Sequence, residues 1–298
     1  MSVLKNKYLK FIKKQETLGD NFKDKWGQLN DYLLPVCFEI FKFQKSKKKT
    51  VIIGLSGGQG AGKSTLAKIF QIILSTIYKL KVVNISIDDF YRTSSERKKL
   101  SKFTHPLFMT RGVPGTHDSK MLLQIIKRLK NKNFEKLTAP KFDKSKDDRL
   151  KRNFWQKITK KPDIVIFEGW CVGAKPQSKK DLMKSINLLE KREDKKLTWR
   201  KKVNNELKTN YKKIFKLIDY KIYINVPSFK HVFKWRLLQE KKLGLKSNNK
   251  NVMKTSEVKR FIMFYERITK RMMKNLKDNN IIISLSNNHK IKSINIYD

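Results

Sequence analysis

Thr50-Val51-Ile52-Ile53-Gly54-Leu55-Ser56 is a short apolar run rich in β-branched residues, and Gly57-Gly58-Gln59-Gly60-Ala61-Gly62-Lys63-Ser64 follows it directly. The first stretch reads as a buried strand, and the glycines mark the turn at which it ends. From Thr65 to Tyr78 the apolar residues recur at helical spacing, so the local order is strand, glycine-rich loop, helix. The loop satisfies GxxxxGK(S/T) in the flanking context that this motif requires. Glycines let successive backbone N–H groups converge on phosphate oxygens at a helix N-terminus, where the dipole also favours negative charge. Gly57, Gly58, Gln59, Gly60, Ala61, Gly62, Lys63, Ser64 and Thr65 are the expected ATP-binding residues. Lys63 is expected to act on the β- and γ-phosphates, and the Ser64 hydroxyl to coordinate Mg²⁺.

On either side of this loop the pattern repeats. Val82–Ile87, Asp163–Phe167, Tyr220–Val226 and Ile281–Leu285 read as further strands, the Tyr220–Val226 run ending at Pro227. Ser119–Leu129, Val203–Leu217, Phe229–Leu243 and Ser256–Leu276 read as helices. Buried strands alternating with helices predict an α/β fold, a mostly parallel sheet covered by helices on both faces in three layers. Residues 1–49 are polar and lysine-rich, with one amphipathic stretch from Trp26 to Phe43 interrupted by Pro35. They are expected to form a helical arm packed on a main unit comprising residues 50–298. The charged stretch Gln177–Lys202 reads as a surface excursion of that unit, and no internal repeat is visible.

The segment Ser86-Ile87-Asp88-Asp89-Phe90-Tyr91-Arg92 puts two carboxylates at the C-terminal end of the second strand, where open α/β sheets place their ligands. A carboxylate within reach of a substrate hydroxyl can take its proton as the oxygen attacks phosphorus. Asp88 is assigned that role; the alternative is that Asp88 and Asp89 merely cap the next segment. The third strand ends in Glu168-Gly169-Trp170, and an acid at that place commonly completes a Mg²⁺ shell. A satisfied buried glutamate is the other reading.

Composition narrows the class. Of 298 residues 39% are hydrophobic, enough for a sizeable core, and no apolar run approaches the length of a membrane span. Met1–Lys14 lacks the apolar centre and cleavage site of a signal peptide. Cys37 and Cys171 are the only cysteines, which predicts no disulfide framework and a reducing cytoplasm. The balance of 70 basic to 26 acidic residues gives a net charge of +44, which invites a nucleic-acid reading. The charge is carried by 58 lysines scattered along the whole chain, as A/T-rich codon drift also produces. No specific nucleic acid is therefore expected, although the positive field would steer anionic substrates.

GLSGGQGAGKSTL (Gly54–Leu66), SIDDFY (Ser86–Tyr91), RGVPGTHD (Arg111–Asp118), PKFDKS (Pro140–Ser145), DDR (Asp147–Arg149) and IVIFEGWCVG (Ile164–Gly173) occur in that order. Together with Val203, Asn204, Leu207, Tyr211, Trp235-Arg236-Leu237 and EVKRF (Glu257–Phe261), this resembles the D-glycerate 3-kinase family and its fungal ATP-dependent kinase relatives. They form a branch of the phosphoribulokinase, uridine kinase and pantothenate kinase group, and the resemblance runs from about residue 50 to residue 275. It implies a P-loop kinase that moves the ATP γ-phosphate to the 3-hydroxyl of D-glycerate with only Mg²⁺ added. Asp88 matches the group's general base, and Arg236 matches the lid-helix arginine that closes over the transferring phosphate. The acceptor would be a small anionic hydroxy acid, with Arg111, Arg149, Lys144 and Arg92 as candidate carboxylate partners. Tyr91 and His117 are the candidate hydroxyl partners, with Asp118 as an N-cap beside His117.

Two departures stand out. Many relatives place a glycine before the Asp-Arg pair, whereas this chain has Asp147, and the expected lid segment Gly244–Val252 is polar without a family signature. A kinase for a nucleoside or a pantothenate-like alcohol is the runner-up reading, and a nucleic-acid-associated P-loop ATPase the third.

Overall fold

A computed structural model of the chain describes residues 1–18, 22–246 and 253–297. Of the expected lid segment, residues 247–252 lie outside the described residues. Six strands, β1 (Val51–Gly57), β2 (Val82–Ser86), β3 (Ile164–Glu168), β4 (Tyr220–Asn225), β5 (Ile281–Leu285) and β6 (Ile291–Ile296), form one sheet in the order β6-β5-β4-β1-β3-β2. The five strands expected from sequence pair in parallel. The sixth, β6, pairs antiparallel with β5 at the edge. Its pattern, Ile-Lys-Ser-Ile-Asn-Ile, has no two apolar residues in succession, and only Ile291 of it is buried. That is the signature of a strand half-covered at a sheet margin.

The helices are α1 (Ser2–Thr17), α2 (Leu34–Lys47), α3 (Lys63–Ile77), α4 (Ser94–Phe103), α5 (Ser119–Lys130), α6 (Thr198–Glu206), α7 (Phe229–Lys246) and α8 (Thr255–Lys274), with shorter turns between them. Side chains of β1 and β3 alternate between two apolar cores, as the two-residue period of a strand requires. Ile53, Leu55, Ile164 and Ile166 join Phe70 and Ile73 of α3 on one face. Ile52, Val165 and Phe167 join Leu122 and Ile126 of α5 on the other. Leu4, Tyr8 and Ile12 of α1 and Val36 and Ile40 of α2 sit in the first core.

Three local expectations need correction. Pro35 does not interrupt the first amphipathic stretch. It occupies the first turn of α2, where a missing N–H costs nothing, and a wide helical turn at Gln28–Leu33 leads into it. The helix expected over Val203–Leu217 begins earlier, as α6, and continues through a π-helical turn at Leu207–Tyr211 before ending at Phe215. The stretch Gln177–Lys202 is not simply a surface excursion, because Glu190, Asp194 and Arg200 within it are buried. Arg200 pairs with Glu190 at 3.0 Å and with Asp194 at 3.0 Å, and Arg267 of α8 reaches Glu190 at 2.6 Å. Compensated pairs of this kind are what allow charge below the surface.

Candidate active site

The strand ends bring the acidic residues together. In the β1–β3 and β3–β2 registers, Glu168 lies beside Leu55 on one side and Ser86 on the other. The phosphate loop leaves β1 at Gly57 and enters α3 at Lys63. Gly60 has φ +79°, and a side chain there would strike Trp235 of α7 at 2.8 Å. Gly62, at φ +80°, is the N-cap of α3. Both are positions that glycine occupies without strain. The loop is backed by α7, whose Val232 lies 2.8 Å from where a Gly58 Cβ would stand. His289 Nε2 lies 3.1 Å from the Gly60 carbonyl oxygen and its ring packs on Trp235 at 3.7 Å.

Lys63 donates to the Gly58 carbonyl at 2.9 Å. Burial lowers its ammonium from the ordinary value, and the nearby Glu168 and Asp88 carboxylates work against that. The Ser64 hydroxyl donates to Glu168 Oε1 at 2.9 Å. Glu168 is 6% exposed, and burial pushes its carboxyl up despite Lys63. Among the described residues no cluster of three His, Cys, Asp or Glu could form a metal cage. A hydroxyl and one carboxylate at the mouth of a phosphate loop nevertheless fit Mg²⁺, which keeps waters and takes most of its other ligands from nucleotide phosphates. Ser64 and Glu168 would hold it.

On the other side of Glu168 two motifs distant in sequence are joined through their backbones. The Arg92 N–H donates to the Thr116 carbonyl at 2.8 Å and the Asp118 N–H to the Phe90 carbonyl at 2.7 Å, with an isolated bridge between Tyr91 and His117. SIDDFY and RGVPGTHD are thus one structural piece. The alternative that Asp88 and Asp89 serve as helix caps fails, since α4 is capped by Thr93 and Glu96 in a reciprocal box. Asp118 does cap α5, accepting from Met121 N–H at 3.0 Å.

Asp88 accepts from the Tyr91 hydroxyl at 2.9 Å and from Lys144 at 2.7 Å. Burial alone would raise its carboxyl, but the Lys144 ammonium, His117 and the Tyr91 hydroxyl hold it well below the usual carboxylate range. Asp89 is engaged separately by Lys141 at 2.7 Å and by the Phe142 N–H. Arg111 pairs with Asp147 and its guanidinium lies 3.5 Å from the Lys144 carbonyl oxygen. Asp147 has φ +53°, the left-handed conformation that glycine adopts without strain, and its carboxylate also takes Arg97 at 2.5 Å.

The remaining expected residues divide. Lys144, Arg111, Tyr91 and His117 surround Asp88 or adjoin groups that do. Arg149 donates to the Tyr91 carbonyl at 3.0 Å and lies 3.7 Å from Asp118, so it braces the joined motifs. Arg92 donates to the Gly115 carbonyl at 3.2 Å and braces the same loop. Arg236 pairs with Glu240 and lies over the Phe261 ring at 5.3 Å. Residues that sequence reasoning missed are Arg97, fully buried and bonded to Asp147 and the Arg92 carbonyl, and Tyr265 of α8. The Tyr265 hydroxyl donates to the Arg111 carbonyl at 3.1 Å, while Trp170 Nε1 donates to the Gly112 carbonyl at 3.0 Å. Only position in the fold reveals these, since each reaches across a long stretch of chain.

Residues 52–204 match the phosphoribulokinase / uridine kinase family. The chain is 35% identical over 234 residues to an uncharacterized kinase, mug58, of Schizosaccharomyces pombe, covering 75% of this chain and 81% of that one. It is 29% identical over 257 residues to the chloroplastic D-glycerate 3-kinase of Arabidopsis thaliana, covering 80% of this chain and spanning only 53% of that protein's length. The solved D-glycerate 3-kinase of Cryptococcus neoformans superposes with a TM-score of 0.75 at 23% identity, over 89% of this chain and 99% of that one, which is a likeness of fold. With its phosphate loop, its strand-end carboxylates and these likenesses, the chain is a P-loop kinase of the phosphoribulokinase / uridine kinase family.

Proposed function

We propose that the chain transfers the γ-phosphate of ATP to the 3-hydroxyl of D-glycerate, giving 3-phosphoglycerate. The observation that supports this reading best is the pairing of Asp88 with Lys144 beside Arg111. A general base stands next to two cations suited to an anionic acceptor. The likeness to the Arabidopsis D-glycerate 3-kinase points to the same acceptor.

In this reading the glycerate carboxylate takes the Arg111 fork, which meets a carboxylate through parallel hydrogen bonds. Lys144 turns from Asp88 toward the same anion. Freed of its partner, Asp88 becomes more basic and accepts the 3-hydroxyl proton as that oxygen attacks the γ-phosphorus. The bond to the β–γ bridging oxygen breaks, and ADP leaves with that oxygen. Lys63 stabilises charge on the transferring group, and Arg236 joins it from α7 once released from Glu240. Ser64 and Glu168 would hold Mg²⁺, which would supply neutralisation of the phosphate charge.

The test is a coupled ADP-release assay over a panel of hydroxy acids, nucleosides and pantothenate, with ³¹P NMR of the product. D-Glycerate as the best acceptor, phosphorylated at its terminal hydroxyl, is the expected result. A nucleoside or pantothenate turning over faster, or phosphate on the 2-hydroxyl, would leave a P-loop kinase with another acceptor. Arg111→Ala should lower activity on glycerate and reduce discrimination against neutral glycerol, because the glycerate carboxylate loses its charged partner while glycerol, which makes no such pair, loses nothing.

A further inference from the structure

His117 is 1% exposed, and its two ring nitrogens have different surroundings. Nδ1 lies 2.6 Å from the Tyr211 hydroxyl. Nε2 is buried without any hydrogen-bond partner. The ring stacks on Tyr91 at 4.4 Å, and Tyr91 is the residue whose hydroxyl holds Asp88. A buried unpaired polar atom is costly unless a ligand completes it, and this one belongs to a ring stacked on the tyrosine that holds Asp88.

The Tyr211 hydroxyl decides which proton the ring carries. It accepts the Gly115 backbone N–H at 3.2 Å, a group that can only donate. Its own hydrogen is then directed to His117 Nδ1. A ring nitrogen that accepts at Nδ1 carries its proton at Nε2. Tyr211 reaches this place from the π-helical turn at Leu207–Tyr211, an irregularity often found where a side chain must be re-aimed.

We propose that His117 is a neutral hydrogen-bond donor to an oxygen of the phosphoryl acceptor, and that Tyr211 is the positioning residue that fixes its Nε2–H tautomer. This rests on the acceptor site lying beside Asp88, not on glycerate being the acceptor. An uncharged donor orients a hydroxyl or carboxylate oxygen without adding to the charge already supplied by Lys144 and Arg111. It also leaves Asp88 as the only proton acceptor at the reacting oxygen. Burial lowers the imidazolium to about 3, and the Arg92 charge works in the same direction while Asp88 opposes it. The other titratable groups against the ring are the Tyr91 and Tyr211 hydroxyls, both raised well above their ordinary value, chiefly by burial. No group facing His117 therefore changes charge near neutral pH.

The decisive measurement is ¹⁵N NMR of the His117 ring in the ligand-free wild-type protein between about pH 5 and 8. A protonated Nε2 and a bare Nδ1, unchanged across that range, are expected. A ring protonated at Nδ1, or one that titrates there, overturns the proposal. In Tyr211→Phe the tautomer signal should become mixed, and KM for the acceptor should rise about tenfold with KM for ATP unchanged. Equal effects on both KM values would show a general loosening of the loop and would overturn the positioning role. The acceptor used is whichever the ADP-release panel selects, so a wrong acceptor identity leaves this test intact.

Discussion

At the scale of single residues, Asp88, the proposed general base, is held by Lys144 at 2.7 Å, and that pairing would set its availability. Asp88→Asn should leave ATP affinity near wild type and lower turnover by roughly 10²-fold or more, the cost of losing a general base. If steady-state kinetics showed only a raised KM for ATP, Asp88 would be part of the metal shell instead. Because its folded-state carboxyl is depressed, Asp88 contributes stability at neutral pH that is lost as pH falls through the acid range. Asp147 presents a second case. Its left-handed φ suits glycine, yet its carboxylate occupies the arginine fork assigned to the acceptor. A tethered carboxylate competes at an effective concentration of roughly millimolar or more. Asp147→Gly should therefore lower the acceptor KM several-fold while reducing thermal stability, since fully buried Arg97 keeps only its carbonyl partners. A raised KM would mean that Asp147 organises Arg111 rather than competing with the substrate.

Among the elements, legibility followed burial. β1 to β5 were readable because each is a short run rich in β-branched and aromatic residues with its apolar side chains in a core, whereas β6 is a mostly uncovered edge strand and carries no such signal. The phosphate loop, Asp88 and Glu168 could be placed from order alone, since strand ends define them. Arg97 with Asp147, 50 residues apart, and His117 with Tyr211, 94 apart, depend on how distant loops meet, which no local pattern encodes. The segment Gln177–Lys202 was unreadable for a related reason: buried ion pairs and solvated charges look alike in sequence. Glu190 now anchors that segment to α8 through two arginines. Glu190→Gln leaves those arginines with less compensation and should destabilise the fold by about 3–5 kcal/mol, read from the midpoint of chemical denaturation. A change under about 1 kcal/mol would show that water replaces the lost charge.

Across the whole molecule, the sheet separates two cores, one under α1, α2 and α3 and the other under α5 and α6. The phosphate loop is backed by α7 on the first side, and the motifs proposed to bind the acceptor are built on the second. α8 belongs to both: Val258 and Ile262 enter the first core, Phe264, Tyr265 and Ile268 the second. From the same helix the Tyr265 hydroxyl holds the Arg111 carbonyl, and its ring meets Trp170 edge-on at 4.7 Å. A helix shared by two sites is a route by which their occupancies can be coupled, and any such coupling is reciprocal. Whatever factor a non-hydrolysable ATP analogue adds to acceptor affinity, the acceptor must return to the analogue. Calorimetric titrations in both orders should yield one coupling factor, and Tyr265→Phe should shrink it equally from either direction. If the factor survives that substitution unchanged, α8 is only a partition wall, and the two halves of the kinase sense each other solely through the phosphate that passes between them.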